Sequence, residues 1–163
     1  MQHSINIVVS STGTLIGGFI RQILGGSVNH CSITLDENYD NLYSFSRRHP
    51  YLWFTGCFCK EDISRFKSYK IYSINITEEE YRDIERYIEY LNDRLRVYNY
   101  LGAIMIPFNI PVKFENSYIC STFVAKLLNR IDGIELDKPI YLYRPMDVLE
   151  LLENNDSAVL LEA

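Results

Sequence analysis

Hydrophobic positions along this chain switch between a period of two and a period near 3.6. Ile5-Asn6-Ile7-Val8-Val9 is a β-branched run and predicts a strand. Asn29 to Leu35 alternates strictly, with His30, Ser32 and Thr34 on one face and Cys31, Ile33 and Leu35 on the other. A polar turn, Asp36 to Asn41, leads to a return strand, Leu42 to Ser46, with Tyr43 and Phe45 facing the apolar side. Matching faces across this hairpin sets Ser44 and Ser46 beside His30 and Ser32, whereas a slip of one residue would put Tyr43 or Phe45 there instead. Tyr69 to Ile76 alternates again and predicts a further strand.

Helical spacing fills much of the remainder. Ser10-Ser11-Thr12-Gly13-Thr14 reads as a turn that caps a short helix burying Leu15, Ile16, Phe19, Ile20 and Ile23, ended by Gly25-Gly26-Ser27. No Gly-Lys-Ser/Thr follows that turn, so it is not a phosphate-binding loop. Arg47 to Phe58 reads as irregular, with Trp53-Phe54 packing under a loop, and Lys60 to Phe66 as a short turn or helix. Thr77 followed by Glu80 is a capping box that opens the clearest helix, burying Tyr81, Ile84, Ile88, Leu91 and Leu95. Tyr98 to Ala103 leads into an apolar stretch with Pro107 and Pro111, read as a short helix and a lid-like loop. Ser117 to Leu127 passes from an extended segment into a helix with Phe123, Val124, Leu127, Leu128 and Ile131 on its buried face, stopped by Asp132-Gly133. Ile140 to Tyr143 reads as a short final strand, and Pro145 opens a last helix that ends near Asn154-Asn155.

Composition narrows the function classes. A chain of 163 residues is expected to form one domain, 1–163, burying about two-thirds of its unfolded surface. The formal net charge of −5 argues against a nucleic-acid partner, and Arg47-Arg48-His49 is too short to reverse that. No segment approaches the ~20 apolar residues of a membrane span. The Met1 to Ser4 start lacks a basic signal region, so a cytoplasmic location is expected. Thirteen tyrosines suggest a core with polar tips or an aromatic-lined surface. The four cysteines form neither a CxxC pair nor a disulfide framework. Cys57 and Cys59 would share a side if extended, but with no nearby histidine no zinc and no other cofactor is expected.

Cys120 is the residue best placed for chemistry. A thiol in the first turn of a helix sits where unpaired N–H groups and the helix dipole favour negative charge on sulfur, and the same N–H groups can hold an oxyanion. Ser117, Ser121 and Thr122 surround that start and can cap it. A nucleophile of this kind needs a base, often oriented by a third polar group. Of three histidines, His3 is near the chain end and His49 precedes proline in a loop. His30 is therefore the candidate base.

Asn29-His30-Cys31-Ser32-Ile33, Tyr43-Ser44-Phe45 and Tyr118-Ile119-Cys120-Ser121-Thr122-Phe123-Val124 together resemble the circularly permuted NlpC-like branch of the papain-fold cysteine hydrolases. In that branch the histidine strand precedes the cysteine helix, as here. The resemblance implies an α+β fold in which a small antiparallel sheet or partial barrel packs against helices, with Cys120 as nucleophile and His30 as base. The family's third residue is a polar group on the strand after the histidine strand, often a carboxylate, histidine or amide. Here that strand offers only Ser44 or Ser46, with Asp36 and Glu37 as substitutes from the turn, and Ser44 is the choice. The implied function is hydrolysis of an amide or ester bond in a small peptide, amide or acyl-ester substrate. The rivals are a binding module that keeps the fold without turnover and a lipid acyltransferase or esterase.

Overall fold

Strands His3–Ser11 (β1), His30–Thr34 (β2), Leu42–Arg47 (β3), Gly56–Glu61 (β4), Ser68–Ile76 (β5) and Ala158–Glu162 (β6) pair in the order β4-β3-β2-β1-β5-β6. Every pairing is antiparallel. This is a computed structural model that describes residues 3–11, 27–47 and 56–163. Its helices are Glu78–Asn92 (α1), Tyr100–Met105 (α2), Cys120–Leu128 (α3) and Pro145–Glu153 (α4). The molecule is thus α+β. The helix expected around Leu15 to Ile23, the Trp53-Phe54 loop and most of the Arg47-Arg48-His49 cluster lie outside the described residues.

Alternation decides which sheet face is covered. Ile5, Ile7, Val9, Cys31, Ile33, Phe45, Phe58, Tyr72 and Ile74 point to one side, where α1, α3 and α4 bury Ile84, Leu91, Phe123, Leu127, Val148 and Leu152. Each such side chain contributes roughly 1.5–3 kcal/mol on leaving water. The opposite face carries a smaller cluster of Val8, Leu42, Phe66 and Ile71. Among the β2 residues on that second face are His30 and Ser32, both buried.

Several local expectations change. Gly56–Glu61 is a strand, because all six of its residues find ladder partners on β3, from Arg47↔Gly56 to Leu42↔Glu61. Long-range pairing here outweighs weak local periodicity. Ile140–Leu142 is a 3₁₀ turn, not a strand: the Leu142 N–H donates to the Pro139 carbonyl at 2.9 Å and closes the backbone on itself. Leu95 lies beyond the end of α1 and is 79% exposed. β6 carries no alternation in burial, since Val159, Leu160 and Leu161 are all exposed, and its place follows from pairing with β5. The capping box at Thr77 and Glu80 forms as its spacing demands.

Candidate active site

Cys120 is the first residue of α3 and is buried. Its helix begins at Ile119, whose extended backbone and apolar side chain leave the first turn without a side-chain cap from in front. The short polar residues nearby are used elsewhere. Thr122 Oγ1 accepts the Ile119 N–H at 3.0 Å, Ser121 Oγ donates to the Tyr143 carbonyl at 2.6 Å, and Ser117 Oγ donates to the Val97 carbonyl at 2.8 Å. These bonds fix the helix start.

His30 opens β2, held in register by the Ser10↔His30 pair with β1. Its ring packs 5.6 Å from that of Phe66, and its Nε2 lies 2.6 Å from Glu61 Oε2. Glu61 is the last residue of β4, and its side chain is 3% exposed. Its other oxygen, Oε1, is 3.5 Å from Arg65 Nη1. Cys120 lies beside the imidazole and interacts with it. The structure therefore brings together a thiol, an imidazole and a carboxylate.

The electrostatics of the three are linked. Burial pushes the His30 imidazole down, but the Glu61 carboxylate and the Cys120 sulfur outweigh it and hold its pKa well above the ordinary histidine value. Burial pushes Glu61 up, yet His30, Ser46 and Arg65 together hold its carboxyl below the usual range. Both shifts favour an imidazolium–carboxylate pair. Cys31 is different: its thiol is pushed well up by burial, with further contributions from Cys120 and Asp147. A neutral, buried Cys31 with its Sγ 4.0 Å from the Pro145 carbonyl behaves as a small apolar filler.

Ser44 is not among the hydrogen-bond partners of the imidazole: its hydroxyl donates to the Cys31 carbonyl at 2.7 Å and ties β3 to β2. Asp36 accepts the N–H groups of Asp40 and Asn41 and so organises its own turn, and Glu37 is exposed. The group on His30 is Glu61, which local pattern does not single out, because Arg47 to Phe58 reads as irregular and Lys60 to Phe66 as a short turn or helix. A signal was present: Cys57, Cys59 and Glu61 continue one face of an alternating run. Glu61 is on the strand beyond β3 from His30, and on that face β3 presents Leu42, paired with Glu61, and the small Ser44 and Ser46. Two small side chains leave a low floor over which a glutamate can reach. Ser46 lies 3.1 Å from Cys59 Sγ and also favours the ionised Glu61.

A cleft of about 320 Å³ separates the turn at Ile106 and Pro107 from a wall of Lys138, Leu142, Arg144 and Asp147. That wall is tied to the cysteine helix through the Ser121–Tyr143 bond. Cys31, Cys57, Cys59 and Cys120 are all free thiols, and among the described residues no group of three or more His, Cys, Asp or Glu could hold a metal ion. No protein-family model matches the chain, and neither a curated protein nor a solved structure is similar enough to be matched with it.

Proposed function

We propose that this chain is a cysteine-dependent hydrolase of amide or ester bonds, built on a permuted papain-like scaffold of the NlpC-like kind, with Cys120, His30 and Glu61 as its working groups. The observation that carries this reading is the buried His30 with its Nε2 fixed on Glu61 and Cys120 beside it. The order of elements supports the scaffold, with the histidine strand ahead of the cysteine helix. The carboxylate comes from β4, one strand further on than the family pattern puts its polar residue.

Chemistry follows from the geometry. With Nε2 engaged by Glu61, Nδ1 is the ring nitrogen that serves the thiol. The proton of the Cys120 thiol is held on His30, in keeping with the imidazolium that Glu61 favours, and the sulfur adds to the acyl carbon while the first-turn N–H groups of α3 hold the oxygen that gains charge. Collapse breaks the bond to the amine or alcohol, which leaves with the proton from Nδ1. Water then adds to the thioester with His30 as base, releasing the acid and restoring the thiol. Glu61 fixes the ring orientation and stabilises the imidazolium in both halves.

Two measurements on the same variants test the reading. Alkylation of Cys120 by iodoacetamide at about pH 6.5, followed by peptide mass, is expected to slow by ~10-fold or more in His30→Ala. p-Nitrophenyl acetate is expected to leave an acetyl thioester on Cys120 in the wild type and none in His30→Ala. Equal alkylation in both proteins refutes the pairing. Slowed alkylation without any thioester points instead to a binding module that keeps the constellation and has lost turnover.

A further inference from the structure

The chain between α1 and the cysteine helix turns its apolar side outward. Leu101, Ile104 and Phe108 follow one another at spacings of three and four, so the helical segment through α2 and the 3₁₀ turn Ile106–Phe108 presents them on one side. They are 50, 63 and 69% exposed, and Ile110 and Phe114 from the following loop are 45 and 48% exposed. An amphipathic helix packed on a core shows the reverse arrangement. The loop is held in this form, since Asn99 caps α2 by accepting the Gly102 N–H at 2.8 Å and donates to the Val112 carbonyl at 2.9 Å. The outward apolar side is therefore built into the backbone.

Charge indicates what covers it. From Arg94 to Lys113 the chain carries Arg94, Arg96 and Lys113 and no acidic residue, within a protein of net charge −5; Asp93 and Glu115 stand just outside. Arg94 and Lys113 are exposed, and the Arg96 guanidinium lies over the Tyr90 ring at 4.6 Å. An apolar turn flanked by cations in an otherwise acidic protein is complementary to an anionic lipid surface. No helix among the described residues is long and apolar enough to cross a membrane, so the contact is peripheral.

We infer that residues 94–114 form a docking surface for anionic bilayers, with Leu101, Ile104, Phe108, Ile110 and Phe114 entering the interface and Arg94 and Lys113 meeting lipid phosphates. Ile106, turned inward from the same segment, lines the cleft whose far wall holds Leu142 and Arg144, either side of the Tyr143 that Ser121 of the cysteine helix binds. Docking would thus bring that cleft to the membrane, although binding itself does not depend on the proposed hydrolase activity.

Sedimentation of the full chain with vesicles tests this without reference to catalysis. The wild type is expected to bind vesicles of about 30% phosphatidylserine in phosphatidylcholine, and to bind pure phosphatidylcholine more weakly. Lys113→Glu is expected to weaken binding to the anionic vesicles ~5-fold or more. The double change Ile104→Ser with Phe108→Ser is expected to weaken it by at least ~10-fold. Leu160→Ser, on exposed β6, serves as the control for a general loss of surface apolarity and is expected to leave binding unchanged. Wild-type chain that stays in the supernatant overturns the inference, as does equal loss in Leu160→Ser. A wild-type dimer that the double variant converts to monomer, with no vesicle binding, overturns it in favour of a second copy of the chain. Should the double variant fold poorly, Lys113→Glu and the loss of binding in about 1 M NaCl still decide the question.

Discussion

His3 and His30 each set Nε2 against a glutamate, and the two contacts are almost equal in length: 2.5 Å for His3–Glu78 and 2.6 Å for His30–Glu61. Their surroundings differ. The first pair is 27 and 46% exposed, shares Glu78 with Arg82, and sets its ring 4.5 Å from that of Tyr81 at a tilt. The second is 8 and 3% exposed and lies beside a thiol. In water the attraction between such groups is screened and nearly offset by competing hydration. Out of water the same contact fixes a ring and sets its charge. Hydrogen-bond length alone does not distinguish the two pairs; burial and the third group do.

Breaking each pair gives the largest contrast in activity. Cys120→Ser and His30→Ala are expected to remove thioester formation from p-nitrophenyl acetate, and Glu61→Gln to lower its rate ~100-fold, within the range for a positioned proton-transfer group. His3→Ala and Glu78→Gln are expected to leave the rate unchanged. A loss of rate in His3→Ala equal to that in Glu61→Gln would end the distinction drawn between the two pairs.

Stability sharpens the contrast through its pH dependence. Glu61→Gln leaves a buried imidazole without its counter-charge and is expected to cost about 2–3 kcal/mol near pH 6. That is less than the ~3–5 kcal/mol for a buried pair whose remaining charge cannot escape, because His30 can lose its proton. The signs are opposite for the two groups. His30, raised in the folded protein, contributes fully below its unfolded value of about 6.5 and loses that contribution as pH climbs through its folded value. Glu61, lowered in the folded protein, contributes above its unfolded value of about 4.3 and loses that contribution as pH falls through its folded value. Urea denaturation of wild type and Glu61→Gln is therefore expected to differ most between about pH 5 and 6.5, and less toward alkaline pH. A gap that does not vary with pH would mean that Glu61 acts through packing alone. For the exposed pair, Glu78→Gln is expected to leave the denaturation midpoint unchanged at any pH.

These contrasts also mark what the chain makes legible. Cys120 at the head of a helix, His30 at the head of a strand and the hairpin between them follow from local patterns: a 3.6-residue period, strict alternation and a polar turn. Four of the six strands, β1, β2, β3 and β5, carry such a pattern, but β4 and β6 take their form from partners distant in sequence. Glu61 was hidden for that reason. Its relation to His30 depends on β4 pairing with β3, on sheet order, and on small residues between, none of which a window of neighbouring residues contains. The serine-bearing strand is a spacer rather than the holder of the imidazole.

Ser44 provides the smallest and most discriminating change. If a β3 serine oriented His30, Ser44→Ala would lower thioester formation about as much as Glu61→Gln. Its hydroxyl donates to the Cys31 carbonyl instead, so the loss is expected to be one buried hydrogen bond, about 1 kcal/mol in denaturant titration, with the rate within ~2-fold of wild type. Ser44→Val separates the two roles further. The branched side chain raises the floor between Glu61 and His30, and is expected to lower the rate more than Ser44→Ala while adding apolar surface in a buried site. A Ser44→Val rate equal to that of Ser44→Ala would show that Glu61 does not need the space above β3. A large loss in Ser44→Ala would return the orienting role to the serine.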